Sequence, residues 1–183
     1  MKKLLVVGTV LVAAVLFSGY GTTKWKTFDC PDGRFSVMLP GTPKQHVQTM
    51  NIPNAGPITI TTHVTEPWFG LIGRAYAVAY ADLPPVQDFN DELGFKMGRA
   101  AALEKSRGRL VSEREVTTAG QAGREMLIDS PEGMITLRVF RVGSRIYLAT
   151  IVHPSSSDLS HHKDALFGSF RLVGGAQQAA ALP

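Results

Sequence analysis

Hydrophobic and polar residues alternate along most of the chain with a period of two. The clearest case is Gly133–His153, GMITLRVFRVGSRIYLATIVH. Its two halves read as strands of a β-hairpin closed at Gly143-Ser144, where Gly in the first central position suits a type II′ turn. Folding at that turn sets Val142 opposite Arg145, Phe140 opposite Tyr147 and Val139 opposite Leu148. One face then collects Ile135, Leu137, Val139, Ile146, Leu148 and Val152. The other collects Met134, Thr136, Arg138, Phe140, Tyr147, Ala149 and Ile151. A slip of one residue would scramble both faces, so the register is strongly specified.

Similar alternation predicts strands at Trp25–Cys30 and Arg34–Leu39 around Pro31-Asp32-Gly33, with Phe35, Val37 and Leu39 buried. Lys44–Asn51 is a weaker strand and Ile58–Thr65 a clearer one. Arg74–Asp82 carries Tyr76, Val78 and Tyr80 on one face and Ala75, Ala77, Ala79 and Ala81 on the other. A helix is expected to pack on those alanines. Arg109–Thr117 and Arg124–Asp129 are strands around the turn Ala119–Gly123.

A period near 3.6 replaces this alternation over Asp88–Ser106. Phe89, Leu93, Met97, Ala100 and Leu103 form a helical stripe there, and Gly94, Gly98 and Ala102 a second line of small residues. Asp88 or Asn90 suits the N-cap, and Asp91 and Glu92 suit the positive end of the helix dipole. Leu159–Phe167, after the cap-rich Ser155–Asp158, is a second, short helix. The order of strands, long helix, strands and short helix predicts an α+β fold: a mostly antiparallel β-sheet with one long and one short helix packed on it.

The chain ends are of a different composition. Lys2 and Lys3 precede the apolar run Leu4–Phe17, and small residues follow. Residues 1–21 read as a signal peptide or, uncleaved, an N-terminal membrane anchor, with residues 4–17 as the tether. Tyr20 occupies the position where a lipoprotein box requires Cys. This predicts an exported protein, periplasmic or anchored facing the periplasm. Residues 22–173 form one domain, and residues 174–183 a Gly/Ala/Gln tail expected to be disordered.

Outside the leader, 17 Lys and Arg face 15 Asp and Glu. This near balance, with no basic run, argues against nucleic acid as a partner. The single Cys30 rules out an internal disulfide and any multi-cysteine metal site.

Four pieces of the chain, FDCPDGRFSVMLPGTPK (Phe28–Lys44), AGREMLI (Ala122–Ile128), VGSRIYLATI (Val142–Ile151) and FGSFRLV (Phe167–Val173), resemble exported bacterial proteins of unknown function with the PsbP-like α/β/α sandwich. The resemblance spans most of residues 25–173, and its motifs are turn and packing motifs. It implies the fold, and a role among accessory and protein-binding subunits. It assigns no functional residue.

Chemistry-bearing residues are sparse. His161-His162 point about 100° apart on a helix, so with Asp158 they do not make a closed metal site, and no metal or other cofactor is expected. Cys30 lacks an adjacent base, and Ser169 lies outside any G-x-S-x-G motif. Asp29 and Asp32 suit turn chemistry, and His63 and His153 suit structural positions in strands. No nucleophile, base and orienting group assemble, so the chain is not expected to be an enzyme.

The best interaction feature is the apolar loop tip Trp68, Phe69, Leu71 and Ile72, suited to an envelope protein partner or a membrane surface. An alternative is a small-ligand carrier with a sheet–helix cleft lined by Tyr76, Tyr80, Phe140 and Tyr147. A hydrolase is a third reading, and would need a convergent cluster that the spacing does not predict.

Overall fold

The structure, a computed structural model, describes residues 24–52, 56–66, 73–84 and 91–174. The leader, the apolar loop at residues 67–72, the helix start at residues 88–90 and the tail lie outside the described residues.

The strands divide between two sheets. The smaller has the order β1-β2-β10, from β1 (Trp25–Cys30), β2 (Phe35–Pro40) and the short β10 (Arg171–Leu172). The larger runs β3-β4-β5-β9-β8-β7-β6. Its strands are β3 (Lys44–Ile52), β4 (Gly56–Thr65), β5 (Ala75–Asp82), β6 (Arg109–Thr118), β7 (Gln121–Ser130), β8 (Gly133–Val142) and β9 (Arg145–His153). Every pairing is antiparallel.

The β8–β9 hairpin has the expected register, with Val142 opposite Arg145 and Phe140 opposite Tyr147. Gly143 takes φ +59 at its turn, the left-handed conformation that glycine adopts without a Cβ penalty. The β6–β7 connection is tighter than the sequence predicts. Only Ala119 and Gly120 lie between the strands, both at positive φ, as a type I′ turn requires.

Two cores result, one on each face of the large sheet. Phe35, Val37 and Leu39 of β2 are buried against Tyr76 and Val78 of β5, Tyr147, Ala149 and Ile151 of β9, and Phe140 of β8. Leu166, Phe167 and Phe170 from the C-terminal segment complete this inter-sheet core. That segment is α2 (Ser160–Lys163) followed by a π-helical turn, Asp164–Gly168.

On the opposite face α1 (Asp91–Ser106) lies over β7 and β8. There Phe95 packs with Met126, Ile128, Leu137 and Val139. The helix therefore covers β7 and β8, where branched and long side chains provide the apolar area, and not the alanine face of β5 as the sequence suggests. Phe95, Ala102 and Leu103 pack on this core, Gly94 is buried, and Ala100 is exposed. Of the expected stripe, Leu103 faces this core and Ala100 does not; Phe95 and, from the line of small residues, Ala102 join Leu103 there, while Gly98 has open space around it. Phe89, and the side chains of Leu93 and Met97, fall outside the described residues.

Candidate functional site

The large sheet turns an unusually polar face toward the small one. Thr61, His63 and Thr65 of β4, Glu125 of β7, Thr136 of β8 and His153 of β9 are all buried. Period-two alternation puts them on the face of Tyr76, Phe140 and Tyr147. A buried polar group costs free energy unless it is paired; His63 and Glu125 have partners across the gap, and Thr136 and His153 pair with each other within the sheet.

Cys30 ends β1 and meets His63, with Sγ 3.4 Å from Nε2. The His63 ring packs on Phe28, centroids 4.8 Å apart, and stacks with Tyr80. Burial raises the Cys30 pKa and lowers that of His63, so both stay neutral and the pair has neither thiolate nor imidazolium character. His153 Nδ1 donates to the Pro154 carbonyl at 2.8 Å and Nε2 lies 3.2 Å from the Thr136 hydroxyl. Burial lowers its pKa as well.

Tyr76 reaches from β5 to α2, its hydroxyl 2.8 Å from His162 Nδ1. Trp25 packs edge-on against the Tyr76 ring and close to both His161 and His162. Desolvation lowers the His162 pKa, and nearby Arg74 and His161 lower it further against the opposing Asp158 carboxylate. Asp158 turns its Oδ1 to the Ser160 N–H and hydroxyl, at the start of α2 and not toward His162. Ser169 Oγ accepts from Met38 N–H at 2.8 Å and donates to the Leu166 carbonyl, tying the C-terminal turn to β2.

Glu125 is the residue that sequence reasoning misses. It is 6% exposed and accepts from Arg114 Nη2 and Arg138 Nε, each at 2.7 Å, with Lys163 Nζ at 3.3 Å. Burial by itself would raise its pKa. The hydrogen bonds from Arg114 and Arg138, with the charges of Arg138 and Lys163, outweigh burial and hold it at about 2. Arg138 also lies over the Phe167 ring, 4.6 Å from its centroid. A signal existed in the sequence: the β6-β7-β8 register puts Arg114 and Arg138 directly across from Glu125 on its two sides.

The expected ligand-cleft residues do not line an open cleft. Tyr76, Phe140 and Tyr147 are buried in the inter-sheet core, and Tyr80 is packed against it. Phe35 and Phe170 of the small sheet and its C-terminal connection fill the space above the rings. The small sheet, which sequence reasoning did not separate from the large one, is the physical reason. Trp68, Phe69, Leu71 and Ile72 lie outside the described residues. Among the described residues, no three His, Cys, Asp or Glu side chains converge to hold a metal ion, and no helix is long and apolar enough to cross a membrane.

No family model and no curated protein matches the chain. Solved structures do. The solution structure of cyanobacterial PsbP from Synechocystis sp. PCC 6803 is similar over 87% of this chain and 98% of its own, with a TM-score of 0.55 and 10% identity. A Pseudomonas aeruginosa protein of unknown function, PA94, is similar over 77% of this chain and 90% of its own, with a TM-score of 0.39 and 10% identity. With two sheets face to face, α1 on the outer side of the larger and the C-terminal helical segment beside the smaller, the chain has a PsbP-like α+β fold.

Proposed function

We propose that the chain is a non-enzymatic accessory or protein-binding module of the bacterial cell envelope, exported through its residue 1–21 leader. The observation that carries this reading is that its chemistry-bearing side chains are committed to one another. Cys30 is spent on His63, Tyr76 on His162, Thr136 on His153, and Glu125 on Arg114, Arg138 and Lys163. Such pairs fix the sandwich and leave its outer surface as what it offers a partner.

Two features suit docking. The first, read from the sequence alone, is the apolar stretch Trp68, Phe69, Leu71 and Ile72. The second is the β3 edge. Edge strands invite pairing with another chain unless charges, prolines or bulges blunt them. The β6 edge is blunted: it carries Arg109, Glu113, Arg114 and Glu115 and a register break between Leu110 and Ser112. The β3 edge runs nine residues in unbroken register with Lys44 as its single formal charge and Val47 58% exposed.

A photo-crosslinking amino acid placed in the full chain at Trp68, Val47 or Arg171, in the bacterial envelope, tests the module. The expected result is one discrete crosslinked protein from Trp68 or Val47 and none from the exposed Arg171 control. No adduct from either position overturns the reading. An alkaline-phosphatase fusion after Cys30 tests export, with activity expected only while residues 4–17 are intact.

A further inference from the structure

At the α2 end of the inter-sheet gap two buried polar atoms have no hydrogen-bond partner. They are the Thr65 hydroxyl at the end of β4 and the Arg74 Nε just before β5. Thr65 is 4% exposed. A buried N–H or O–H left unpaired costs about 1–3 kcal/mol, so a group in that state calls for a ligand, ion or water. The two lie close together: Thr65 stands directly opposite Tyr76 in the β4–β5 ladder, and Arg74 precedes Tyr76 by two residues. Extending the β5–β9 register by one residue brings Arg74 opposite His153.

Most surrounding groups can donate or are positive, and the carboxylate that acts on His162, that of Asp158, is hydrogen-bonded to Ser160. Tyr76 is buried, and its hydroxyl has His162 Nδ1 as its partner. With the hydroxyl donating there, the neutral ring carries its proton on Nε2, so its open nitrogen is a donor. The Arg74 charge acts on Tyr76, His153 and His162 alike. His161 and Lys163 flank His162 on α2, and Lys163 is paired with Glu125. The carboxylate of Asp158 is turned to Ser160, and Glu66 is exposed at the end of β4. No carboxylate in the described residues pairs with Arg74.

We infer that Thr65, Arg74 and His162 form a site for a small oxyanion, a carboxylate or phosphoryl group, held by the forked guanidinium edge of Arg74. An oxyanion accepts hydrogen bonds without donating any, which matches a lining where the Thr65 hydroxyl, the Arg74 guanidinium and the His162 ring can each donate, and guanidinium binds it bidentately. The site does not depend on the docking features proposed above.

The test is a heteronuclear NMR titration of the full chain at neutral pH, following the Arg74 Nε–H and the His162 ring. Inorganic phosphate and acetate are the probes, at ionic strength fixed with sodium chloride. A saturable shift with phosphate assigns a phosphoryl group, and one with acetate a carboxylate. Either supports the site when Arg74→Gln weakens it by about tenfold or more. Thr65→Val, which loses only the hydroxyl, should weaken it about threefold to tenfold and serves alone if Arg74→Gln does not fold. No saturable shift with either probe, equal shifts with sodium chloride, or unchanged binding in the variants overturns the assignment.

Discussion

The Tyr147 hydroxyl donates to the Gly33 carbonyl at 2.9 Å, and both residues are buried. The bond spans 114 residues of sequence and clips the β1–β2 turn of the small sheet to the central hairpin of the large one. Arg145, two residues earlier, reinforces the clip. Its Nη1 donates to the Asp32 carbonyl at 2.6 Å, and its Nε and Nη2 hold both oxygens of Asp82.

Tyr147→Phe keeps the ring contacts with Phe35, Phe140 and Phe170 but leaves a buried carbonyl unpaired. The expected loss is about 1–3 kcal/mol in urea unfolding with an unchanged m-value. An unchanged midpoint would show that the clip contributes nothing.

Glu125→Gln removes the charge on which three cations converge, leaving the half-buried Arg138 uncompensated. The expected loss is about 3 kcal/mol at neutral pH, toward the low end for a broken buried pair because Arg114 is largely exposed. The pH dependence has a defined sign. The folded pKa of about 2 lies below the ordinary 4.5. The contribution of Glu125 is therefore complete above the unfolded value and is lost as pH falls from about 4.5 toward 2. Acid unfolding monitored by circular dichroism should show this limb in the wild type and a shallower one in Glu125→Gln.

His63, His153 and His162 all have folded pKa values below the ordinary 6.5, in each case chiefly through burial. Their neutral forms belong to the folded state. The stability they allow is present above pH 6.5 and declines as pH falls through and below that value. The melting temperature should drop between neutral pH and pH 5, and His63→Asn should flatten part of that drop. A melting temperature independent of pH over this range would contradict the burial of these rings.

The buried Cys30 thiol, raised in pKa by desolvation and held beside a neutral His63, should resist thiol reagents in the folded protein. Its reaction with an aromatic disulfide at mildly alkaline pH should be slow when native and fast in denaturant. Equal rates would place the thiol at the surface.

Gly123 stands directly opposite Phe140 in the β7–β8 ladder. A Cβ there would stand 2.4 Å from the Val139 carbonyl oxygen and 2.9 Å from the Phe140 Cβ. Gly123→Ala should therefore cost about 2 kcal/mol or more by forcing the strands apart. Gly120→Ala has open space around it and meets only the backbone penalty of φ +78, about 1 kcal/mol. Unfolding midpoints of the two variants compare the mechanisms, and the reverse order would refute the close approach at Gly123.

The sequence by itself determined the local geometry. Alternation from Gly133 to His153, with glycine at the turn, leaves one register that sorts apolar residues onto consistent faces. The β8–β9 ladder has that register. Alternation likewise placed Phe35, Val37 and Leu39 in a core, where all three are buried. These outcomes depend on neighbours a few residues apart, and the pleat dictates them.

The tertiary structure decided what each face meets. A strand pattern states that a face is apolar, not whether a second sheet or a helix covers it. The separation of β1, β2 and β10 from the seven-stranded sheet was therefore not legible, and Tyr76, Phe140 and Tyr147 became core and not cleft. The lining of α1 keeps Leu103 of the expected stripe and adds Phe95 and Ala102, because the area available over β7 and β8 set its contact. Cys30 with His63 and Glu125 with Lys163 arise from chain segments brought together across the gap, and the unpaired Thr65 hydroxyl and Arg74 Nε from the burial of their strand ends. No local period encodes those meetings, because burial and hydrogen-bond partners are properties of the packed whole.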